Sequence, residues 1–220
     1  KLSIMKFSEL ELDPAILKAI DELGFIEPTP IQQQSIPQLL NEDNDLVGLA
    51  QTGTGKTAAF GLPMLQNIDF SLKKVQGLVV APTRELCLQI ANDYKQFSKY
   101  IKNAQIATIY GGASIDKQAR EIRSGAQIVV ATPGRLMDMM RRKFLKINEV
   151  SYVVLDEADE MLNMGFKEDI DEILKHTPDE KSTWLFSATM PKGVEKIAMR
   201  YMNKPIEVTI GSKNESAKNI

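Results

Sequence analysis

Two segments of this chain are built from residue types that handle phosphate, and they lie about a hundred positions apart. The first, Ala50-Gln51-Thr52-Gly53-Thr54-Gly55-Lys56-Thr57, directly follows an apolar run. Its glycines let backbone amides approach a ligand closely, and a lysine and a hydroxyl follow. The second, Asp156-Glu157-Ala158-Asp159, ends the apolar run Tyr152-Val153-Val154-Leu155. Together they offer donors for the phosphates of a nucleoside triphosphate, and carboxylates for its magnesium ion and an attacking water. Ala50 stands where the strict phosphate-loop pattern has glycine, but the Gly-Lys-Thr ending is intact. The acidic tetrad alone carries little, because Asp and Glu commonly open helices. The co-occurrence, each segment behind a strand-like run, points to an ATP-using domain.

Roles follow from residue type. Gln51, Thr52 and the amides of Gly53, Thr54, Gly55, Lys56 and Thr57 would wrap the phosphates at the start of a helix beginning near Gly55, whose positive end adds attraction. Lys56 would reach the outer phosphates, and the Thr57 hydroxyl would ligate magnesium. A lysine opening a helix is electrostatically poor unless a polyanion sits beside it. Asp156 is the expected magnesium partner, direct or through water, and Glu157 the group that polarises the attacking water. Loss of such a group costs about 10²–10⁴ in rate. For Asp159, a first-turn carboxylate and a catalytic role stand level on composition.

The elements that must hold these residues are legible as alternating patterns. Short β-branched runs at Asp45–Ala50, Gly77–Ala81, Ile106–Tyr110, Gln127–Thr132, Tyr152–Asp156, Thr183–Ser187 and Ile206–Ile210 read as strands. Several are apolar on consecutive residues, as in a parallel sheet covered on both faces. Helical patterns lie between them, such as Arg84–Tyr100, with Leu86, Ile90, Phe97 and Ile101 at helical spacing. The expected fold is α/β: a doubly wound, mainly parallel sheet of about seven strands with helices on both faces. In such sheets ligands bind at the carboxyl ends of strands, where both phosphate-handling segments fall.

Composition narrows the classes. The chain has 220 residues, 43% apolar and 25% charged, as in an ordinary soluble globular protein, and a formal charge of −2 gives no global attraction for nucleic acid. One cysteine, Cys87, excludes an internal disulfide and fits a reducing compartment. No apolar run is long enough to span a membrane and no secretory signal is visible, so a cytoplasmic protein is expected. Residues 1–4 read as a remnant preceding a natural start at Met5, residues 5–210 as the folded domain, and 211–220 as the start of a linker.

Further segments bring the chain close to a known family. Gly24-Phe25-Ile26-Glu27-Pro28-Thr29-Pro30-Ile31-Gln32, with Phe7 upstream, Pro82-Thr83-Arg84-Glu85-Leu86, Gly111-Gly112, Thr132-Pro133-Gly134-Arg135 and Ser187-Ala188-Thr189 occur in a fixed order around the two opening segments. In this order, from Phe7 to about Ile210, the chain resembles the DEAD-box ATP-dependent RNA helicases, named for the tetrad. The resemblance implies a RecA-like, P-loop NTPase fold, with ATP and Mg2+ as cofactors. It implies that Phe7 and Gln32 hold adenine. It also implies that Pro82, Thr83, Arg84, Gly111, Gly112, Thr132, Pro133, Gly134 and Arg135 face RNA, and that Ser187 and Thr189 link hydrolysis to strand movement. On residue type alone Phe7 reads as core and Gln32 as a solvated helix residue. A glutamine can nevertheless pair bidentately with adenine's N6 and N7, which favours ATP over GTP, and Phe7 could stack on the base. The strand-end groups suit a sugar–phosphate backbone rather than base edges, so little sequence preference is expected. Asp159 is the expected partner of Ser187, in a link through which loss of the γ-phosphate would be felt at the RNA surface.

The family's transition-state arginine comes from a second RecA-like domain, in a motif beginning His-Arg. The sole histidine here, His176, precedes Thr177-Pro178. A monomeric fragment lacking that second domain, binding adenine nucleotide weakly and scarcely hydrolysing it, is therefore expected. Two other readings are a nucleotide-gated RNA clamp, disfavoured by intact Lys56, Asp156 and Glu157, and a DNA-directed motor, disfavoured by the Gln32 segment and the full tetrad. Lys56→Ala should abolish nucleotide-supported turnover, measured as phosphate release, while leaving the circular dichroism spectrum unchanged.

Overall fold

The computed structural model describes residues 5–41 and 43–211. The expected remnant at 1–4 and all but the first residue of the expected linker lie outside the described residues. Seven parallel strands form one sheet: β1 (Leu46–Leu49), β2 (Gly77–Val80), β3 (Ile106–Ile109), β4 (Ile128–Ala131), β5 (Tyr152–Leu155), β6 (Ser182–Ser187) and β7 (Ile206–Thr209). Their order is β3-β4-β2-β5-β6-β1-β7. Each expected strand is present. All but β6 end one residue earlier at the carboxyl end, where the flanking residue turns into a loop; β1 and β4 also start one residue later, and β6 starts one residue earlier.

Among the described residues nine α-helices accompany the strands: α1 (Pro14–Glu22), α2 (Pro30–Leu39), α3 (Lys56–Asn67), α4 (Arg84–Phe97), α5 (Ile115–Arg123), α6 (Pro133–Arg141), α7 (Ala158–Asn163), α8 (Lys167–Lys175) and α9 (Lys192–Tyr201). Right-handed crossovers decide which face each takes. From β1 to β2 and β2 to β3 the chain steps one way across the sheet, so α3 and α4 share a face with α2. Every later step runs the other way, so α5 to α9 cover the opposite face. The strands alternate accordingly: Ile128 and Val130 enter the first core, Val129 and Ala131 the second. Burial on both sides is why these strands are apolar throughout.

Helix α4 ends at Phe97, three residues before the expected limit. The chain leaves the helix at Ser98, whose hydroxyl donates back to the Lys95 carbonyl, and Ile101 N–H closes a turn onto Ser98. Such local hydroxyl bonds compete with helix continuation. At the amino ends of the strands, the buried carboxylate of Asp45 accepts from the backbone N–H groups of Thr183 and Asn203, tying β1 to the start of β6 and the approach to β7. The Trp184 indole donates to the Asn44 carbonyl beside it.

Cys87 is fully buried on α4, and burial pushes its thiol up to about 12. A group so placed has almost no thiolate at neutral pH. A thiol reagent at pH 8 should therefore label the native chain far more slowly than the chain unfolded in guanidinium, followed by mass spectrometry; equal rates would contradict this placement.

Candidate active site

The carboxyl ends of β1 and β5 bring the two phosphate-handling segments together. Lys56 Nζ lies 3.0 Å from Glu157 Oε1, across 101 positions of sequence. The Thr52 hydroxyl donates to the same oxygen at 3.3 Å. Both charged side chains are largely withdrawn from water, at 6% and 16% exposure. A cleft of about 450 Å³ runs alongside, lined by Thr52, Gly53, Gly55, Lys56, Thr57, Asp156 and Glu157 from these segments, and by Gln32.

The loop's shape depends on its glycines. Gly53 and Gly55 have φ of 82° and 88°, in the left-handed region. At Gly55 a side chain is excluded twice over, since a Cβ there would stand 2.4 Å from Gln32 Nε2. That amide donates to the Gly55 carbonyl at 3.0 Å, while its oxygen accepts from the Thr29 amide at 2.9 Å. Gln32 is thus buried and fastens the start of α2 to the loop. One Nε2 hydrogen and one Oε1 lone pair remain for an adenine edge. The Thr54 hydroxyl donates back to the Gln51 carbonyl, and α3 then starts at Lys56 with its free amides facing the loop.

Glu157 adopts φ 52° and ψ 48°, a left-handed conformation that costs a residue with a Cβ about 1–2 kcal/mol. The bend sends Glu157 toward Lys56, while Asp156 stays buried and accepts from the Glu157 amide at 3.0 Å. Burial pushes the Asp156 carboxyl up to about 6; Lys56 opposes the shift and Glu157 adds to it. Among the described residues, no three or more of His, Cys, Asp and Glu form a cage for a metal. A hydroxyl at Thr57 and a carboxylate at Asp156 nonetheless suit Mg2+, which prefers hard oxygens and takes further ligands from phosphates and water.

Asp159 opens α7 and meets the end of β6. Its carboxylate accepts from the Thr189 hydroxyl at 2.7 Å and the Thr189 amide at 3.0 Å, while its own amide donates to Ser187 Oγ at 3.2 Å. Burial resists ionisation of this carboxyl, but hydrogen bonds from Thr189 and Ser187, and from the amides of Glu160 and Thr189, outweigh it and hold the group below its ordinary value.

The remaining strand ends form the other half of the same edge. Pro82, Thr83 and Arg84 follow β2, Gly111 and Gly112 follow β3, and Thr132 to Arg135 follow β4. The Thr83 hydroxyl caps α4 by accepting from the Leu86 amide. The exposed Arg84 guanidinium lies 4.9 Å from the centre of the Tyr110 ring. Gly111, Gly112 and Gly134 are exposed, Pro82 and Pro133 are buried, and Thr132 is half-buried at the start of α6. Arg135 turns inward, donating to the Ala113 carbonyl at 3.0 Å and to Gln118 Oε1 at 2.9 Å. Phe7 is buried in the first core with its ring 5.9 Å from that of Phe25, and Phe25 rather than Phe7 lines the cleft. Reading the sequence by motif passed over the cleft wall contributed by Leu86, Gln89, Asp93, Gln96 and Phe97 of α4. Their helical spacing was the available signal.

Comparison with known proteins identifies relatives along most of the chain. The model of the family "DEAD/DEAH box helicase" matches residues 29–197. The ATP-dependent RNA helicase DeaD of Haemophilus influenzae is 51% identical over 97% of this chain, which covers 35% of that protein. The DEAD-box ATP-dependent RNA helicase CshA of Streptococcus pneumoniae is 49% identical over 95% of this chain, which covers 40% of it. The chain therefore spans well under half the length of these relatives. Among solved structures, a DEAD box protein from the hyperthermophile Methanococcus jannaschii superposes with a TM-score of 0.90 at 42% identity, over 94% of this chain and 56% of that one.

The Asp159 cluster has a pH signature. Its carboxyl titrates below the unfolded value, so its stabilisation is present above that value and is lost as pH falls through the folded one. Thr189→Val should lower stability by about 1 kcal/mol at neutral pH. In urea titrations the deficit should shrink below about pH 4, where aspartates protonate. A deficit that stays constant to pH 3 would assign the loss to packing instead.

Proposed function

Because this chain belongs to the DEAD/DEAH box helicase family, we propose that it is the amino-terminal ATPase domain of an ATP-dependent RNA helicase. It binds ATP with Mg2+ in the cleft and part of an RNA backbone on the loops after β2, β3 and β4. The observation that carries this reading is the 3.0 Å contact between Lys56 and Glu157, which joins the phosphate loop to the acidic tetrad in one site.

On this reading the phosphates displace Glu157 as the partner of Lys56, and the amides of residues 53–57 take the remaining phosphate oxygens. Thr57 and Asp156 would hold Mg2+, which would supply neutralisation of charge building on the phosphate oxygens. Glu157, freed from the lysine, orients water for attack. Gln32 and Phe25 bear on the base, with Phe7 packed behind Phe25. Asp159, Thr189 and Ser187 connect the tetrad to the end of β6, so that a change in the phosphates is felt at the Ser187–Thr189 loop. That edge offers hydroxyls, amides and the Arg84 guanidinium, groups that hold a backbone without reading bases. Efficient turnover and duplex opening need a second RecA-like domain of the same protein, which supplies an arginine to the transition state. The chain acts as a monomer in the cytoplasm, in keeping with its single buried thiol.

Calorimetric titration of residues 1–220 with Mg-ATP should give weak binding that exceeds binding of Mg-GTP and is lost in Lys56→Ala. RNA should stimulate hydrolysis strongly in the full-length protein, where Glu157→Gln lowers turnover about 10²–10⁴-fold, and scarcely at all in residues 1–220. Robust RNA-stimulated turnover by residues 1–220 alone would overturn the need for a second domain. Indifference of the full-length enzyme to Glu157→Gln would favour a nucleotide-gated clamp.

A further inference from the structure

The edge of the sheet away from the cleft carries charge that the proposed function leaves unused. β4, β2 and β5 are neighbours and start in register, with Gly77 beside Ile128 on one side and Tyr152 on the other. The segments leading into these strands therefore meet at the amino edge, the opposite end of the sheet from the phosphate loop. Between Asp138 and Glu149 the approach to β5 holds Arg141, Arg142, Lys143 and Lys146 and no acid, in a chain whose formal charge is −2. The approach to β4 brings Arg123, whose guanidinium lies 5.8 Å from the centre of the Phe144 ring. The approach to β2 brings Lys73, whose stem lies against Gly125, where a Cβ would stand 3.2 Å from the lysine's own Cβ and Cγ. All six cations are exposed, and of them only Arg142 has an ion pair among the described residues, with Asp138 at 3.0 Å. Lys74 pairs with Glu149, and there the edge turns acidic, Asp43 and Glu180 sharing a hollow with Glu149.

Helix chemistry accounts for part of this charge. Arg141 closes α6 and Arg142 caps it, where cations suit the negative end of a helix. Lys143 and Lys146 follow the helix and gain little from it. Lys143 also stands where another residue fits better. Its amide donates to the Met140 carbonyl and the Phe144 amide to the Met139 carbonyl, a Schellman closure, and its φ is 59°. Glycine is the usual occupant of that left-handed place, and a lysine is held there at a cost in stability. Cations with stems laid on packed surface and heads in water repel one another unless an anion neutralises them. An extended anion suits three converging segments better than a single phosphate does. RNA is the polyanion that the proposed function brings to this molecule, and in naming it the inference rests on that reading. We infer that the amino edge is a second RNA-binding face, which holds sugar–phosphate backbone without reading bases and needs no nucleotide in the cleft.

Fluorescence anisotropy of a labelled oligouridine with residues 1–220, in the absence of nucleotide, tests this. The wild-type chain should bind, with an affinity that falls steeply between about 50 and about 200 mM salt. Lys143→Gly/Lys146→Gln, which removes two phosphate contacts, should lower the slope of log affinity against log salt by about 1.4. Lys143→Gly alone should weaken RNA binding while leaving stability in urea undiminished, a combination that a purely structural lysine would not give. Lys192→Gln/Lys196→Gln makes the same change of charge at exposed positions on α9 and should bind as the wild type does. An unchanged slope in folded Lys143→Gly/Lys146→Gln, or an equal loss in the α9 variant, overturns the inference. Arg84→Ala separates it from the proposed function: loss of binding there, with the amino-edge variant unaffected, leaves all the RNA on the carboxyl edge. Binding to phosphatidylserine vesicles that depends on Lys143 and Lys146, while RNA binding does not, assigns the surface to a membrane and overturns the choice of RNA. A wild-type chain that binds no RNA at low salt also overturns the inference; the proposed function is then judged by RNA-stimulated turnover of the full-length protein.

Discussion

At the exit of β5, three carboxylates, Asp156, Glu157 and Asp159, fall within four consecutive positions, and the ammonium that answers them is Lys56, from the far side of β6. Placing a lysine at the first turn of α3 sets it against the helix's positive end, and burying it adds a desolvation cost. Glu157 offsets both, at the expense of a left-handed backbone at its own position. Buried ion pairs of this kind are weak arguments for stability, because well-packed apolar residues of similar volume often do as well. Their retention makes physical sense where a ligand exchanges with one partner. On the proposed function, the triphosphate is that ligand, and the lysine–glutamate contact is the resting form of a site built for a larger anion.

The sheet order turns this local arrangement into a division of labour. β1 and β5, which carry the phosphate loop and the tetrad, flank β6, whose end carries Ser187. β2, β4 and β3 continue the same edge on the other side of β5. The tetrad at the end of β5 thus has β6, with Ser187, as one neighbour and β2, whose end opens α4, as the other.

Much of this was legible in the sequence because parallel strands buried on both faces must be apolar on consecutive residues, and each ends where a Gly, Pro, Thr or Asp begins a loop. The contact between Lys56 and Glu157 was readable only as two segments of suitable chemistry; their convergence depends on β6 alone separating β1 from β5, an order that no local pattern encodes. Phe7 and Gln32 show the limit of motif reading. Phe7 sits one layer behind the cleft, with Phe25 in front of it. Gln32 is occupied with Thr29 and Gly55 before any base arrives. Arg135, exposed in an isolated strand-end view, turns inward because Ala113 and Gln118 offer it acceptors from a neighbouring loop and helix. The early end of α4 follows from Ser98, whose hydroxyl offers the backbone a local alternative to another helical turn.

The account stands on Lys56 and Glu157 facing a common anion. A crystal structure of the chain with Mg2+ and a non-hydrolysable ATP analogue tests this most directly. The account predicts the terminal phosphates on the amides of residues 53–57 and Lys56 Nζ moved from Glu157 onto a phosphate oxygen. A nucleotide bound elsewhere, or one bound in the cleft while Lys56 keeps its 3.0 Å contact with Glu157, would contradict it.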